Sequence, residues 1–299
     1  MIESNNDDNT VCAVVVTYFP ASDFCRQIRT LYVQATKIVV IDNTPRESRK
    51  LQLKPALQAF HSALVIENDS NIGQAAALNQ GITHAAESGC KWILVLDQDT
   101  ECYPDIVDTL LRVSTACQPT PMVIGSNYLD LRNNRSKVSV GKTDEFLEQK
   151  TVITSGSLID IRLAIAIGGF REDYFIDQVD HEFCLRARRN GNKVVISRKV
   201  VMNHSVGNAG GVRLPFLGVM PNHPPLRKYY IARNSTVTIL SYWRNDPQWC
   251  LRRMTRLLLG FGFMGVMEKQ RLRKIHAFMF GILDGLRKRM GPCRRKQII

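Results

Sequence analysis

The stretch WILVLDQDT, residues 92–100, is an apolar run of strand length that ends abruptly in two aspartates. A run this apolar is typical of a parallel strand that is buried on both faces. Asp97 and Asp99 follow it with one glutamine between them. Three interpretations are open for the pair: a solvated turn, a cap for the helix that we expect to open at Pro104, or a metal site.

Similar apolar runs occupy residues 11–19, 37–45 and 63–69, and helical patterns occupy residues 22–35 and 70–89. Strands that alternate with helices at this spacing are typical of parallel sheets. The sequence therefore predicts an α/β fold with a Rossmann-like, mostly parallel central sheet flanked by helices.

Polar residues fall at or near the carboxyl ends of all four predicted strands: Thr17, Asp42, Asn68 and Asp97. Ligands of such sheets bind beyond those ends, so we expect one site there. The first strand is not followed by G-x-G-x-x-G, and G-x-x-x-x-G-K-[ST] occurs nowhere in the chain. Ordinary dinucleotide-binding and P-loop sites are therefore disfavoured.

A helix is predicted over residues 179–189, with Asp180 at or near its N-terminus. The helix dipole favours the ionised carboxylate at that position, which suits either a general base or an N-terminal cap. His204 follows a predicted strand and is a candidate metal ligand, although a lone histidine is more often structural. Residues 120–150 are polar and irregular and predict a hairpin or loop insertion.

The last quarter of the chain is strongly basic. Residues 227–299 contain 17 lysine and arginine residues against 3 acidic ones. The apolar run 257–267 is too short to span a bilayer, and its cationic flanks suit the surface of an anionic membrane. Packing on the rest of the protein or a homo-oligomer interface is the alternative, and nucleic-acid binding is disfavoured because no recognised module accompanies the charge.

We predict three segments: a disordered N-terminus (1–10), a catalytic domain (11–225) and a basic amphipathic helical C-terminal region (226–299). The eight cysteines form no C-x-x-C pair, which indicates reduced thiols of a cytoplasmic protein. The polar, acidic N-terminus is unlike a signal peptide, so we do not expect export.

An ordered set of motifs carries a family resemblance. In chain order they are VVVTYFP, VIDNTP, SNIGQAAALNQGI, LDQDT, TSGSLI, GGFREDYFIDQVDHEFCLRARRNG, NHSVG and YYIARN. Together they span about residues 11 to 235, and the sequence resembles the inverting family 2 glycosyltransferases with the GT-A fold, most closely their rhamnosyltransferase branch.

The resemblance implies a role for each matching residue. Asp180 would be the catalytic base. A Mg²⁺ or Mn²⁺ ion would be held by Asp97, Asp99 and His204. The nucleotide-sugar donor would be bound by Thr17, Asp42, Asn43, Asn71, Gly73, Asn79 and Asp97. The floor of the sugar and acceptor pocket would contain Gly156 and Ser157. Many family members have an acidic pair at the base position, whereas Val179 precedes Asp180 here.

The activity that this resemblance implies is inverting, metal-dependent transfer of L-rhamnose from dTDP-L-rhamnose to a hydroxyl of a lipid-linked glycan. The enzyme would serve cell-surface polysaccharide or lipopolysaccharide synthesis, peripherally on the cytoplasmic face of the inner membrane. One alternative is transfer of a glucosyl, galactosyl or galactofuranosyl group from a UDP-sugar. The other is a non-catalytic module that binds sugar nucleotides or glycans. A nucleotidyltransferase is disfavoured, because TYFPASDF lacks a glycine-rich basic loop.

Overall fold

The computed structural model describes residues 9–21, 24–57, 60, 63–131, 134–140, 145–203, 212–214, 218–220, 222–295 and 298. The strands are β1 (Val11–Thr17), β2 (Lys37–Asp42), β3 (Ala63–Glu67), β4 (Trp92–Asp97), β5 (Glu101–Cys102), β6 (Val123–Asp130), β7 (Arg135–Ser136), β8 (Phe146–Glu148), β9 (Ser157–Asp160), β10 (Val194–Asn203), β11 (Val212–Leu214) and β12 (Gly218–Met220). The α-helices are α1 (Phe24–Tyr32), α2 (Leu53–Ala56), α3 (Gln74–Glu87), α4 (Ile106–Ala116), α5 (Ile161–Ala166), α6 (Val179–Arg189), α7 (Pro225–Tyr242), α8 (Pro247–Met267) and α9 (Arg271–Leu286).

The central sheet has the strand order β3-β2-β1-β4-β9-β6-β10-β5, with β7 paired to β6 and β8 paired to β10. The first four strands are parallel, as predicted. Beyond β4 the sheet is mixed, because β9 runs antiparallel to both of its neighbours while β6 and β10 are parallel. The α/β prediction is therefore confirmed, and the GT-A-like sheet is mixed rather than mostly parallel.

Strand β1 shows why the core has two layers. Successive side chains of a strand point to opposite faces of its sheet. Cys12 and Val14 accordingly pack into the cluster under α3, α5 and α6, whereas Ala13 and Val15 pack into the cluster under α1 and α4. Gly81 of α3 lies so close to Val14 that a Cβ atom would overlap its side chain, which explains the small residues of that helix.

The prediction of a loop or hairpin over 120–150 is wrong for its first part. Val123–Asp130 is the interior strand β6, buried over its first six residues. The polar residues Ser126 and Asn127 obscure the strand pattern of β6 in the sequence. Both bind backbone carbonyls: Ser126 Oγ donates to the Gly156 carbonyl at 2.6 Å, and Asn127 Nδ2 donates to the Val138 carbonyl at 3.0 Å. The hairpin itself exists, because β7 returns along the end of β6.

Two predicted helix boundaries bear on the site. Helix α6 covers Val179–Arg189, as the sequence predicts. Helix α4 begins at Ile106 and its N-cap residue is Asp105, so Asp97 and Asp99 do not cap it. That interpretation of the two aspartates is wrong, because the short strand β5 separates them from the helix.

The C-terminal region is helical, and α7 and α9 cross closely. Gly285 of α9 lies against α7, and a Cβ atom there would be 2.7 Å from the Arg233 carbonyl oxygen. Gly281, one turn earlier, has equally little room against the backbone of Tyr229. Within the described parts of the chain, no helix combines the length and apolar character needed to cross a bilayer. Residues 1–8 lie outside the described chain, and the domain limits at 10 and 225 stay predictions.

Candidate active site

The parallel strands bring three of the predicted site residues to one edge of the sheet. Thr17 at the end of β1 pairs in register with Asp42 at the end of β2, and Val16 pairs with Asp97 at the end of β4. Asn68 follows β3 directly, and its backbone N–H donates to the Asp42 carbonyl at 3.0 Å. The expected grouping of polar residues at the carboxyl edge is therefore present.

Asp42 is fully buried and its carboxylate is bound by protein groups. Oδ1 accepts hydrogen bonds from Thr17 Oγ1 at 3.1 Å and from the Thr44 N–H at 3.0 Å, and Oδ2 accepts from Arg49 Nε at 2.9 Å. A carboxylate with these partners has little capacity left for a ligand. Its direct effect is to hold the loops after β1 and β2 together.

Asn43, Asn71 and Gly73 form the entry to helix α3. Asn43 Nδ2 donates to the Gly73 carbonyl at 3.0 Å, and the Gly73 N–H donates to Asn71 Oδ1 at 2.9 Å. Gly73 has φ +91°, and a Cβ atom there would lie 2.7 Å from Cδ2 of Phe175. Glycine is required here both by the backbone conformation and by the contact with Phe175.

Asn79 lies further along α3 and faces a different loop. Its Nδ2 donates to the Phe170 carbonyl at 2.9 Å, and its Oδ1 accepts from the Phe170 N–H at 2.7 Å. Nδ2 also lies 2.9 Å from Oε1 of Glu172. The described contacts of Asn79 anchor residues 170–172 and do not bring it to the carboxyl edge with Asp97.

Gly156 and Ser157 lie inside the sheet at the start of β9. Gly156 has φ +76°, and a Cβ atom would overlap Met202. Ser157 is buried and its Oγ donates to the Ile153 carbonyl at 2.6 Å. The neighbouring Ser155, which the sequence did not single out, reaches the Asp-x-Asp turn, because its Oγ accepts from the Asp97 N–H at 3.0 Å.

The DQD turn is held from both sides. Ser155 binds the Asp97 backbone, and its hydroxyl also lies 2.6 Å from Thr100 Oγ1. Gln98 Oε1 accepts from the Tyr18 N–H at 2.7 Å, which ties the turn to the loop after β1. Asp99 is exposed and Asp97 is partly buried.

Negative charges are concentrated at this turn. Burial, together with the charges of Asp99 and Asp180, raises the pKa of Asp97 to about 7, and Arg227 opposes the rise. Asp180 on α6 therefore lies close enough to the turn to interact electrostatically with it. A rise in the pKa of a carboxylate is opposed by a nearby cation, so Arg227 lies near Asp97.

The loop that delivers Asp180 is strained and externally supported. Phe175, Asp177 and Gln178 all have positive φ, between 64° and 66°. Such conformations cost about 1–3 kcal/mol each and persist only where the surroundings determine them. Asn234 of α7 supplies that support, because its Nδ2 donates to the carbonyls of Tyr174, Ile176 and Asp177 at 2.8–2.9 Å.

Two cations accompany the acidic residues. Arg227 Nε lies 3.2 Å from both carboxylate oxygens of Asp177. Burial raises the pKa of Asp177, against the effect of Arg227. Burial lowers the pKa of Arg253 to about 10, while the charges of Asp180 and Asp177 oppose that change. Arg227 and Arg253 thus partly offset the negative charge of the acidic residues at this site.

Asp180 lies in the first turn of α6, whose N-cap residue is Gln178. Its Oδ1 accepts from the His181 N–H at 2.8 Å. No hydrogen bond to Oδ2 is present within the described part of the chain, so that oxygen is available to a bound molecule. His181 points elsewhere: its Nδ1 lies 2.9 Å from Thr151 Oγ1, and burial lowers the pKa of its imidazole.

The residues present fit a divalent cation whose ligands come partly from the protein and partly from a substrate. Among the residues that the structure describes, no three His, Cys, Asp or Glu side chains form a metal cage. Mg²⁺ is commonly held by one or two carboxylates together with substrate phosphates, and the mutual repulsion of Asp97 and Asp99 suits such an ion. His204 lies outside the described residues.

Solved structures share this architecture. The crystal structure of S. aureus TarS 1–349 superposes with a TM-score of 0.62 at 13% identity, covering 94% of this chain and 82% of that one. TarS 1–349 in complex with UDP-GlcNAc gives 0.60 at 16% identity, covering 91% and 81%. At these identities the likeness concerns the fold alone, a mixed α/β sheet with C-terminal helices.

Sequence comparisons identify the family of this chain. Residues 12–160 match the family model described as Glycosyl transferase family 2. The chain is also 26% identical over 294 residues to the dTDP-rhamnosyl transferase RfbF of Shigella flexneri, covering 94% of this chain and 96% of that protein. This chain belongs to glycosyltransferase family 2, as the motifs predict, and it is an enzyme of that class.

Proposed function

We propose that this glycosyltransferase moves L-rhamnose from dTDP-L-rhamnose to a hydroxyl of a glycan acceptor. The observation that carries the proposal is the similarity to the Shigella flexneri dTDP-rhamnosyl transferase, which extends over nearly the full length of both chains. Asp97, Asp99 and Asp180 lie together at the carboxyl edge, where a donor diphosphate and a reacting hydroxyl would meet.

The proposed mechanism is a single displacement with inversion. Oδ2 of Asp180 takes the proton of the acceptor hydroxyl as that oxygen bonds to the anomeric carbon. The bond from the anomeric carbon to the diphosphate breaks in the same step, and its electron pair leaves with dTDP. Asn234 and the loop contacts hold Asp180 in place. A divalent cation held by Asp97 and Asp99 would offset the charge of the diphosphate.

A donor assay tests the proposal. The enzyme is incubated with dTDP-L-rhamnose, UDP-glucose, UDP-galactose or UDP-galactofuranose, and release of the nucleotide diphosphate by transfer of the sugar to water is measured. We expect release mainly from dTDP-L-rhamnose. Preferential release from a UDP-sugar would replace the donor assignment by the UDP-sugar alternative, and binding of a nucleotide sugar without release would favour a non-catalytic module.

We propose further that residues 11–225 form the catalytic domain and that the region 226–299 places it on the cytoplasmic face of an anionic membrane, close to a lipid-linked acceptor. Helix α8 and the start of α9 expose large apolar side chains. They are Leu251, Met254, Leu258, Leu259, Val266, Met267 and Leu272. Arginine and lysine residues at both ends of this surface would contact acidic headgroups.

Vesicle sedimentation tests the membrane proposal. Leu258 is 66% exposed and Val266 is 74% exposed, so a Leu258→Ser/Val266→Ser variant should fold normally. We expect it to bind phosphatidylglycerol vesicles less than the unmodified protein does. Val33→Ser/Leu64→Ser is the matched control, because those side chains are exposed on the sheet domain instead. Equal vesicle binding by all three proteins would contradict membrane docking through this surface.

A further inference from the structure

A cleft with a volume of about 250 Å³ lies beside the N-terminus of α6, between the β6–β9 segment and helix α8. Five cationic side chains line it: Lys137, Lys150, Arg252, Arg253 and Arg256. No aspartate or glutamate is among the described residues that line it. The cleft is separate from the carboxylates of the Asp-x-Asp turn, which are not part of its wall.

Most of these cations lack a counter-charge. Lys150 forms an ion pair with Asp246 at 2.6 Å. Arg253 forms its hydrogen bond with a neutral group, its Nε lying 3.0 Å from Ser235 Oγ, and it interacts with the charges of Asp180 and Asp177. The side chains of Lys137, Arg252 and Arg256 make no hydrogen bond or ion pair with any other described residue.

The unpaired cations also repel one another. Burial and the nearby charge of Arg256 lower the pKa of Lys137. The charge of Arg256 likewise adds to the burial that lowers the pKa of Arg253. Like charges held close together are destabilising, and a bound anion relieves that repulsion.

The chemistry of the wall favours a phosphate over a carboxylate. Guanidinium groups bind phosphate oxygens through two parallel hydrogen bonds, and a phosphate or diphosphate brings more negative charge than one carboxylate. Aromatic side chains stand beside the cations: His181 and Trp249 meet edge to face with centroids 5.5 Å apart, and Tyr128 also lines the cleft. Their faces offer apolar area to a sugar ring.

The cleft is next to the proposed base. His181 lines it and directly follows Asp180, and Arg253 lines it and interacts with the charge of Asp180. A molecule bound in the cleft therefore lies close to the reacting carboxylate.

We propose that this cationic cleft binds a phosphate or diphosphate group of the acceptor, so that the enzyme acts on phosphorylated saccharides. The inference rests on the proposed glycosyltransfer, because it names the acceptor's chemistry. Binding is measured without turnover, however, so its failure is distinguishable from failure of the proposed activity.

The experiment is calorimetric titration of the full-length protein with inorganic diphosphate in EDTA, so that no metal can hold the anion at Asp97 and Asp99. We expect the unmodified protein to bind, and Arg252→Gln/Arg256→Gln to bind about tenfold more weakly or worse. The control is Arg271→Gln/Arg273→Gln, which removes the same charge from exposed positions on α9 and should bind like the unmodified protein. Thermal unfolding verifies that each variant is folded.

One further measurement completes the test. The same proteins are sedimented with phosphatidylglycerol vesicles, and there the α9 control should lose a larger fraction of its vesicle binding than of its diphosphate binding. The proposal is overturned if the unmodified protein does not bind diphosphate, if the cleft variant binds it equally well, or if the cleft variant loses vesicle binding alone.

Discussion

The side-chain amide of Asn234 donates a hydrogen bond of 2.9 Å to the backbone carbonyl of Asp177, and through it helix α7 supports the loop that carries the proposed base. Asn234 is completely buried, and its Nδ2 contacts two more carbonyls of the same loop. A residue of the C-terminal region thus supports the loop that precedes the proposed base.

Replacing Asn234 should therefore affect catalysis more than donor binding. We expect Asn234→Ala to lower kcat about tenfold or more with a small change in donor KM, because Asp180 is no longer held in place. The free energy of unfolding should fall by about 1–3 kcal/mol, since the carbonyls of Ile176 and Asp177 lose the hydrogen bond from Asn234 while the Tyr174 carbonyl keeps its bond from Arg233. Asn234→Asp, which keeps the size but loses the donors, should behave similarly. Unchanged kcat in both variants would contradict the positioning role, and exposed Asn245→Ala is the control.

The proposed binding of a divalent cation by Asp97 and Asp99 leads to a separate prediction. We expect Mn²⁺ to raise the thermal unfolding temperature of the protein in the presence of dTDP, with a stabilisation of about 2.7 kcal/mol at a hundredfold excess over Kd. EDTA should abolish the part of the shift that Mn²⁺ adds to that of dTDP alone. Asp97→Asn/Asp99→Asn should show no Mn²⁺-dependent shift, whereas Asp108→Asn, on the exposed face of α4, should retain it. A full shift in the double variant would place the cation elsewhere.

His223 predicts how stability depends on pH. Burial and the charges of Arg227 and Lys228 lower the pKa of this histidine to about 4 in the folded protein. The unfolded chain therefore binds a proton first as pH falls below about 6.5, so stability is lost between pH 6.5 and 4. Between pH 7 and 5 we expect His223→Gln to lose about 2 kcal/mol less than the unmodified protein in urea unfolding. Identical pH dependence in the two proteins would show that His223 does not cause the loss.

The crossing of α7 and α9 is tested by a pair of glycine substitutions. Gly285→Ala places a methyl group 2.7 Å from the Arg233 carbonyl oxygen and should destabilise the protein by about 1–3 kcal/mol. Gly262→Ala on α8 meets no atom within 4 Å and should stabilise its helix by about 0.5–1 kcal/mol. Opposite signs in thermal unfolding are expected. A neutral effect at Gly285 would mean that the two helices separate easily.

Local patterns predicted the parallel half of the sheet well. The runs ending in Thr17, Asp42 and Asp97 are apolar and β-branched, and strands buried on both faces need that composition. Strand β6 was missed because Ser126 and Asn127 are satisfied by residues 11 to 71 positions away along the chain. A local pattern carries no sign of such partners.

The candidate site likewise contains residues that local patterns predicted and residues that they did not. Asp97, Asp99 and Asp180 were found because they stand at strand and helix ends, and their proximity is present in the structure. The described contacts of Asn79, Gly156 and Ser157 are with other groups of the protein, and their contacts with ligands stay predictions. Arg227, Asn234 and Arg253 reach the site from helices that the sequence indicated only as a basic tail. Tertiary packing alone brings them there.

We propose that Asp180 removes the acceptor proton during transfer from dTDP-L-rhamnose. The measurement is the rate of dTDP release from dTDP-L-rhamnose, with water as the acceptor, by the unmodified enzyme and by Asp180→Asn, with donor affinity measured in parallel. We predict a loss of about 10²–10⁴-fold in rate with donor affinity retained, because only the proton acceptor is removed. A variant that releases dTDP at the unmodified rate would contradict the account.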